Sequence, residues 1–226
     1  MNGETKERQY QVLLEDEQQK GLERFGVMSS QVWRDDPRRI CFVLSRYKFV
    51  AKMFSGMGHV LEIGCADAFG TRVVLQEVKA LTAVDFDPLF VDLVKRNMTP
   101  RWRFECQVHD MMAGPLAHGF DGAYAIDVIE HIPVDQEERF VGNVAASLNA
   151  TGVCLFGSPS FQSQAYASPQ SREGHVNCKD APGLRKLMQK FFHNVFIFSM
   201  NDEVVHTGFY PMAHYLWALC CNKKAA

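Results

Sequence analysis

The chain has 226 residues, of which 47% are hydrophobic and 22% are charged, and its formal net charge is -2 with a pI near 6.4. These values predict one α/β domain with an N-terminal extension and a buried core of ordinary size. They argue against a protein that binds nucleic acid non-specifically, because such binding needs a basic face.

The N-terminal part of the chain has the pattern of helices. Residues 1–20 are polar, which predicts a solvated helix or a frayed arm and no signal peptide. From Arg38 to Phe54, apolar residues recur with the period of a helix. We therefore expect residues 1–55 to form a helical extension and residues 56–226 to form the main domain.

The stretch VLEIGCADAFG at residues 60–70 predicts a buried strand, a tight turn of small residues and the start of a helix. Gly64 allows the sharp turn, and Glu62 stands at the strand end, where a cationic group could be held. The dinucleotide pattern G-x-G-x-x-G is not met, since residue 66 is Ala and residue 69 is Phe. This mismatch argues against a nicotinamide-dependent oxidoreductase.

A second apolar run, LTAVDFDP, follows about 20 residues after the turn and ends in Asp85. A carboxylate at this distance is placed to accept hydrogen bonds from ribose hydroxyls. The alternative is that Asp85 caps the helix that begins at Pro88.

Strands and helices alternate through the rest of the chain, which predicts a mostly parallel sheet covered on both faces. The predicted strands end at His109-Asp110-Met111, at Asp127 and at Ser158-Pro159, and two more cover Val195–Met200 and His214–Cys221. Helices are predicted over residues 71–78, after Pro88, after Pro133 and after Pro182. Residues 160–180 are polar and without period, which is typical of a substrate loop or a disordered segment.

Two absences bear on the location of the protein. No apolar run approaches the roughly 20 residues that span a membrane, so we expect no membrane partner. Seven cysteines show no C-x-x-C spacing, which indicates a reducing, cytoplasmic protein without a disulfide framework.

Taken in order, EIGCADAFG, Asp85, HDM, AIDVIEH and a Gly-led strand ending in Ser-Pro resemble the class I S-adenosylmethionine-dependent methyltransferases. The nearest group is that of small-molecule methyltransferases similar to the ubiquinone-biosynthesis O-methyltransferases. The resemblance implies a Rossmann-like, seven-stranded, mostly parallel sheet with helices on both faces and the last strand antiparallel. It also implies N-terminal helices that form a lid, and methyl transfer from S-adenosylmethionine to a small-molecule acceptor, preferentially at oxygen.

The same resemblance implies a set of cofactor contacts. The turn after the first strand would hold the methionine moiety, Asp85 the ribose and Asp110 the adenine amine. Phe86 and Met111 would flank the adenine ring, although core packing explains both side chains equally well. The full predicted set is Arg46, Glu62, Gly64, Cys65, Ala66, Phe69, Asp85, Phe86, Asp110, Met111, Asp127 and Val128.

The chain departs from this family at two turn positions. The family usually has Gly at 66 and often at 68, and both are Ala here. Ala with a positive φ costs about 1 kcal/mol or more. Either the turn has ordinary φ angles there, or cofactor affinity is reduced, and a non-catalytic relative is the extreme case.

Three residues are candidates for catalysis at the acceptor. His131 and His175 could act as a base near neutral pH, and Glu130 could orient such a base. The alternatives are loop or capping histidines and a surface glutamate. A metal site from Asp127, Glu130, His131 and His175 is conceivable, but no spacing is diagnostic and we expect no metal.

Arg34, Arg38 and Arg39 precede the sheet and would suit an anionic acceptor. The simpler interpretation is a solvated helix face that pairs with Asp35 and Asp36. A protein or nucleic-acid acceptor is disfavoured, because neither a basic excess nor an added recognition domain is present. The sequence leaves the oligomeric state open.

Overall fold

Eight strands form one sheet at the centre of the computed structural model, which describes residues 4–117 and 119–225. The strands are β1 (His59–Ile63), β2 (Ala80–Asp85), β3 (Glu105–Val108), β4 (Phe120–Ile126), β5 (Leu148–Pro159), β6 (Phe192–Asn201), β7 (Val204–His206) and β8 (Tyr215–Lys223). Their order across the sheet is β3-β2-β1-β4-β5-β8-β6-β7. The first five strands run parallel, while β8 is antiparallel to both of its neighbours, β5 and β6.

Helices cover both faces of the sheet. They are α1 (Gln11–Lys20), α2 (Val27–Asp35), α3 (Arg38–Met53), α4 (Thr71–Leu75), α5 (Pro88–Asn97), α6 (Glu137–Ser147), α7 (Pro169–Gly174) and α8 (Ala181–Met188). Short 3₁₀ helices lie at Arg8–Tyr10, Ile129–His131, Gln162–Tyr166 and Tyr210–Met212. Buried side chains of α3, α4 and α5 form the core on one face, and those of α6 and α8 form the core on the other.

The structure confirms the predicted Rossmann-like sheet and the antiparallel last strand, and it corrects the strand number. The additional strand, β7, pairs with β6 through a tight hairpin in which Asp202 has a φ of 50°. A strand of three residues is too short to give a periodic signal in the sequence. The helix after the β1 turn ends at Leu75 instead of Val78, and residues 160–180 contain a 3₁₀ helix and α7 instead of only loop.

The N-terminal helices differ in how they pack. No residue of α1 is buried, whereas Tyr47, Val50 and Phe54 of α3 are buried against the sheet. Helix α3 is therefore part of the core, and the division at residue 55 and the lid role stay predictions. Residues 1–3 of the predicted extension lie outside the described residues, as do residues 118 and 226 of the predicted main domain.

Within the described ranges, none of the helices has the length and apolar character that crossing a membrane would require. All seven cysteines are free thiols in this structure.

Candidate functional site

The turn after β1 presses against the chain that leaves β4. Gly64 has a φ of +71°, which favours glycine, and a Cβ built there would lie 2.5 Å from Cγ2 of Val128. The amide groups of Gly64 and Cys65 both donate to the carbonyl of Val84 at the end of β2, at 2.8 and 3.1 Å. The structure thus brings the predicted residues Gly64, Cys65 and Val128 together at the carboxyl edge of the sheet.

Glu62 lies beneath this turn in a fully buried position. Its oxygens accept hydrogen bonds from the hydroxyl groups of Tyr47, at 2.9 Å, and Thr71, at 2.6 Å. Burial raises the pKa of Glu62 to about 7, and the bonds from Thr71 and Tyr47 act in the opposite direction. The carboxyl therefore ties the turn to α3 and α4, and a direct contact with a cofactor ammonium stays a prediction.

Asp85 is buried and is held in one orientation by two backbone amides. Its Oδ2 accepts from the Ala66 amide at 2.9 Å, and its Oδ1 accepts from the Asp87 amide at 3.0 Å. The alternative that Asp85 caps the next helix is wrong, because Asp87 accepts from the Leu89 amide at 2.8 Å and is the N-cap of α5. Each Asp85 oxygen keeps a further lone pair, which leaves ribose binding open as its predicted role.

The turn itself is strained where the sequence departs from the family. Ala66 and Ala68 have φ angles of 47° and 53°. The alternative in which the turn has ordinary φ angles at these two residues is therefore wrong. Left-handed alanine costs about 1–2 kcal/mol per residue. Strain of this kind persists only where surrounding contacts hold it, and here the Ala66 amide is held by Asp85.

Asp67, which the sequence analysis does not single out, joins the turn to α2. Its carboxylate accepts from the amide of Ser29 at 2.8 Å, from the hydroxyl of Ser29 at 3.1 Å and from the amide of Phe69 at 3.3 Å. The ring of Phe69 packs edge-on against Phe25, with centroids 5.0 Å apart. Phe69 therefore meets the N-terminal helices in this structure, and its cofactor contact stays a prediction.

The predicted adenine contacts divide into exposed and buried residues. Phe86 is 73% exposed, so the alternative that it is plain core is wrong. Met111 is buried in the core, as the alternative interpretation of this residue expects. Asp110 is exposed, and its Oδ1 accepts from the amide of Met112 at 2.8 Å, which leaves its other oxygen available to a ligand.

Asp127 ends β4 in a left-handed conformation, with a φ of 57°. Its Oδ2 pairs with Nη1 of Arg46 at 2.5 Å, while its Oδ1 is buried and accepts no hydrogen bond in the described structure. The guanidinium of Arg46 also lies 4.0 Å from the centroid of the Tyr215 ring. Arg46 is thus directed to the end of β4, and its predicted contact with the cofactor carboxylate would lie beside this ion pair.

The three candidates for catalysis come together next to Asp127. One ligand atom from each of Glu130, His131 and His175 lies within 4.8 Å of the others, and the two imidazole centroids are 5.2 Å apart. Glu130 is fully buried, which excludes the alternative of a surface glutamate. Burial, followed by the charge of Asp127, raises the pKa of Glu130 well above its usual value. Burial and then His131 lower the pKa of His175, with Asp127 acting in the opposite direction.

Contacts at both ends fix the loop that carries His175. At its start, the Ser160 amide donates to the carbonyl of His214 at 3.0 Å, and the Ser160 hydroxyl donates to that of Ala213 at 2.6 Å. At its end, the amide of Asn177 donates to the carbonyl of Glu130 at 2.9 Å. These contacts explain why a segment without sequence periodicity has a defined position.

One of the three arginines before the sheet pairs with a neighbouring aspartate, as expected for a solvated helix face. Arg38 is exposed and pairs with Asp36 at 2.9 Å. Arg34 and Arg39 are exposed on the same segment, and a role in acceptor binding stays a prediction for them.

Residues 60–152 match a family described as a methyltransferase domain. This segment runs from β1 into β5 and contains the turn, Asp85, Asp127 and two of the clustered residues, Glu130 and His131. No protein with a curated description matches the chain by sequence.

Several solved structures share the fold at low identity. The N-methyltransferase NodS from Bradyrhizobium japonicum, in complex with S-adenosyl-L-homocysteine, is 21% identical with a TM-score of 0.60, over 84% of this chain and 91% of NodS. A TehB-like S-adenosylmethionine-dependent methyltransferase from Corynebacterium glutamicum is 16% identical with a TM-score of 0.64, over 86% of this chain and 96% of its own. A complex between the Haloferax volcanii Trm112 methyltransferase activator and a methyltransferase is also similar. The matched chain is 10% identical with a TM-score of 0.67, over 90% of this chain and 100% of its own length.

Proposed function

We propose that this chain is a class I, S-adenosylmethionine-dependent methyltransferase and that its acceptor is a small molecule methylated at oxygen. The match of residues 60–152 to a methyltransferase domain and the shared fold support the first part of the proposal. The observation that carries the proposal is the group formed by Glu130, His131 and His175 beside the β1 turn. Groups of this kind assist the loss of a hydroxyl proton, whereas an amine acceptor needs less help because its lone pair is already nucleophilic.

The residues after β1 and β2 fit the methyl donor. Asp85 is oriented by two backbone amides, and the exposed ring of Phe86 beside it offers apolar surface to a base. Gly64 has no Cβ, which permits the close packing of the turn on Val128. S-adenosylmethionine supplies an electrophilic methyl group, and the chain has to hold the acceptor in line with the leaving sulfur and exclude water.

On the acceptor side, the residues act on protons and position. The left-handed Asp127 turns the chain so that Glu130 and His131 follow β4 directly, and the fixed loop brings His175 to them. A hydroxyl placed among these groups would lose its proton as its oxygen attacks. We propose a soluble small-molecule acceptor and a cytoplasmic site of action, and the seven unpaired cysteines support the latter.

Calorimetric titration tests the first part of the proposal. S-adenosylmethionine and its demethylated product should both bind to the folded chain, and Asp85→Ala should weaken this binding by about 1–3 kcal/mol through loss of a charge-assisted bond. Asp135→Ala, an exposed carboxylate after the 3₁₀ helix, is the matched control and should leave affinity unchanged. Absence of heat with either ligand, on protein that unfolds cooperatively, would contradict the proposed activity.

A methyl-transfer assay tests the acceptor. We expect turnover with polyhydroxy metabolites and little with the matched amines. NodS is described as an N-methyltransferase, so transfer to nitrogen is the specific alternative. Turnover of the amines alone would favour that alternative. Cofactor binding without turnover of any acceptor would favour a non-catalytic binding protein.

A further inference from the structure

Two cysteines meet beside the β1 turn. Cys106 of β3 pairs in register with Ala83 of β2, and the amide of Cys65 donates to the carbonyl of the next β2 residue, Val84, at 3.1 Å. Both thiols belong to the core on the sheet face covered by α3, α4 and α5. We propose that Cys65 and Cys106 form a reversible oxidation site, at which a hydroperoxide converts the two thiols into a disulfide that weakens cofactor binding. The part that concerns the cofactor rests on the function proposed above.

The two side chains are in direct contact. The thiol of Cys65 hydrogen-bonds to the sulfur of Cys106, which raises the pKa of Cys65 and lowers the pKa of Cys106. Burial and the charges of Glu62 and Asp85 oppose the lower pKa of Cys106, and the ammonium of Lys95 on α5 supports it. Because a thiolate is the reactive form of cysteine, Cys106 is the nucleophile of the pair and Cys65 is the thiol that stays protonated beside it.

The two sulfurs differ in their access to solvent. Strand β3 is the outermost strand on its side of the sheet, and the neighbours of Cys106 in the chain, Glu105 and Gln107, are exposed. Cys106 keeps 9% of its surface exposed, against 2% for Cys65. A small hydroperoxide therefore reaches Cys106 first, and Cys65 lies behind it in the position of a resolving thiol.

A second pair of cysteines in the same sheet lacks these properties. Cys154 of β5 lies opposite Cys220 of β8, and neither residue has exposed surface. Burial raises the pKa of both thiols. Proximity alone thus does not make a pair reactive, and this second pair is an internal control for oxidation.

One molecule of hydrogen peroxide accounts for the whole reaction. The thiolate of Cys106 attacks one peroxide oxygen, the O–O bond breaks, and the departing hydroxide takes up the proton that Cys106 had released. The sulfur of Cys65 then attacks the sulfenic acid at Cys106, and the S–O bond breaks. The second hydroxide takes the Cys65 proton, so two thiols lose two electrons and the peroxide becomes two water molecules.

The disulfide acts on the cofactor turn because Cys65 belongs to that turn. The carbonyl of Cys65 accepts from the Ala68 amide at 2.7 Å, and its sulfur lies 3.8 Å from the carbonyl oxygen of Ala66. A covalent bond between two sulfurs is shorter than a hydrogen bond between them, so it draws Cys65 towards β3. The left-handed Ala66 is held by its bond to Asp85, and displacement of Cys65 strains that bond.

Peroxide titration followed by peptide mapping tests the site. The reduced chain is treated with hydrogen peroxide in steps, unfolded with an alkylating agent and digested without reductant. We expect peptides linked through Cys65 and Cys106 before the exposed Cys41 is oxidised, and dithiothreitol should reverse the link. Cys154 and Cys220 should be alkylated as thiols.

Three results of this mapping would overturn the oxidation site. They are a first disulfide at any other pair, Cys65 and Cys106 both alkylated after Cys41 is oxidised, and a sulfinic acid at Cys106 without a link.

Variants assign the roles of the two thiols. Cys106→Ala should abolish the link and, in the reduced protein, bind the demethylated cofactor like the wild type. Cys65→Ala should stop the reaction at a sulfenic acid on Cys106, which dimedone captures. Cys221→Ala, a half-buried cysteine on β8, is the matched control and should form the link like the wild type. Dimedone labelling at Cys65 in Cys106→Ala, without labelling at Cys106 in Cys65→Ala, would overturn the assignment of Cys106 as the nucleophile.

Calorimetry with the demethylated cofactor tests the effect on the turn. Oxidation should weaken binding by about tenfold or more, as expected for loss of a charge-assisted hydrogen bond, and dithiothreitol should restore it. Peroxide-treated Cys106→Ala should bind like the reduced wild type. Equal affinity of the reduced and the linked protein would overturn the effect on the cofactor. A linked chain that binds no cofactor in either state would overturn the proposed function and leave the oxidation site in place.

Discussion

Two regions rich in carboxylates meet at the carboxyl edge of the sheet, and they differ in how their acids are satisfied. At the β1 turn, every carboxylate accepts hydrogen bonds from the chain itself: Glu62 from Tyr47 and Thr71, Asp67 from Ser29 and Phe69, and Asp85 from Ala66 and Asp87. At the end of β4, one oxygen of Asp127 and both of Glu130 accept none within the described residues.

The difference shows that the two regions are prepared in different ways. The β1 turn is organised by internal bonds, so its acids set backbone geometry before any ligand arrives. At the β4 end, buried carboxylate oxygens lack hydrogen-bond donors within the described residues, so positive charge or a proton stabilises them. Arg46 supplies one such charge: it pairs with Asp127, and it also lowers the pKa of the neighbouring Glu130.

Gly64 is where the two regions touch, and its replacement should have the largest effect. Gly64→Ala combines a strained φ with an overlap on Val128, so we expect a loss of about 4 kcal/mol in the free energy of unfolding. Gly56→Ala is the matched control, because Gly56 has a φ of +84° with no atom within 4 Å of a built Cβ. In urea unfolding, this control should lose only about 1 kcal/mol in the free energy of unfolding. Equal losses would mean that the regions are not tightly packed.

Arg46 tests the β4 end. Arg46→Met leaves Asp127 and Glu130 without a nearby cation, so we expect a loss of about 3 kcal/mol in stability. Urea unfolding at neutral pH measures this loss. Lys190→Met, which breaks an exposed pair with Glu138, should cost below about 1 kcal/mol. Similar costs for the two variants would remove the contrast between the regions.

Glu62 gives the corresponding test in the β1 region. Its pKa is about 7 in the folded chain and 4.5 in the unfolded chain, so its contribution to stability is complete below pH 4.5 and is lost as the pH rises through 7. The loss amounts to about 3.4 kcal/mol. Glu62→Gln should remove this slope and unfold at higher urea than the wild type at pH 8. Glu138→Gln, on the surface, should keep the wild-type slope, and an unchanged slope in Glu62→Gln would contradict the assignment.

The smallest effect concerns the strained alanines. Ala66→Gly should increase stability by up to about 1 kcal/mol, because glycine adopts the φ of 47° without the steric cost. Ala165→Gly, at an exposed position outside the left-handed region, should instead decrease stability by up to about 1 kcal/mol. Changes of the same sign in urea unfolding would show that the turn is not strained.

Sequence reasoning predicts the β1 region well because its information is local. A strand, a turn of small residues and an acid about 20 residues later specify a βα unit. The sequence reasoning does not predict the buried hydrogen bonds of Glu62. A signal for them is present, because an acid inside an apolar strand requires donors and Tyr47 lies on the apolar face of α3.

The β4 end is only half predictable. Glu130 and His131 follow the strand directly, so their place at the sheet edge could be inferred. The meeting of His175 with them depends on the contacts of Ser160 and Asn177, which join residues distant in the chain and leave no periodic pattern. For the same reason the fixed loop appeared in the sequence as irregular polar chain.

Strand β8 follows β6 and β7 in the chain but lies between β5 and β6 in the sheet. During synthesis on the ribosome, β6 and β7 therefore emerge before the strand that joins them to the rest of the protein. Because Ser160 is bonded to the residues just before β8, the loop with His175 is also fixed only at that stage. A nascent chain stopped ahead of β8 would expose an unpaired edge of β5 to chaperones and to aggregation.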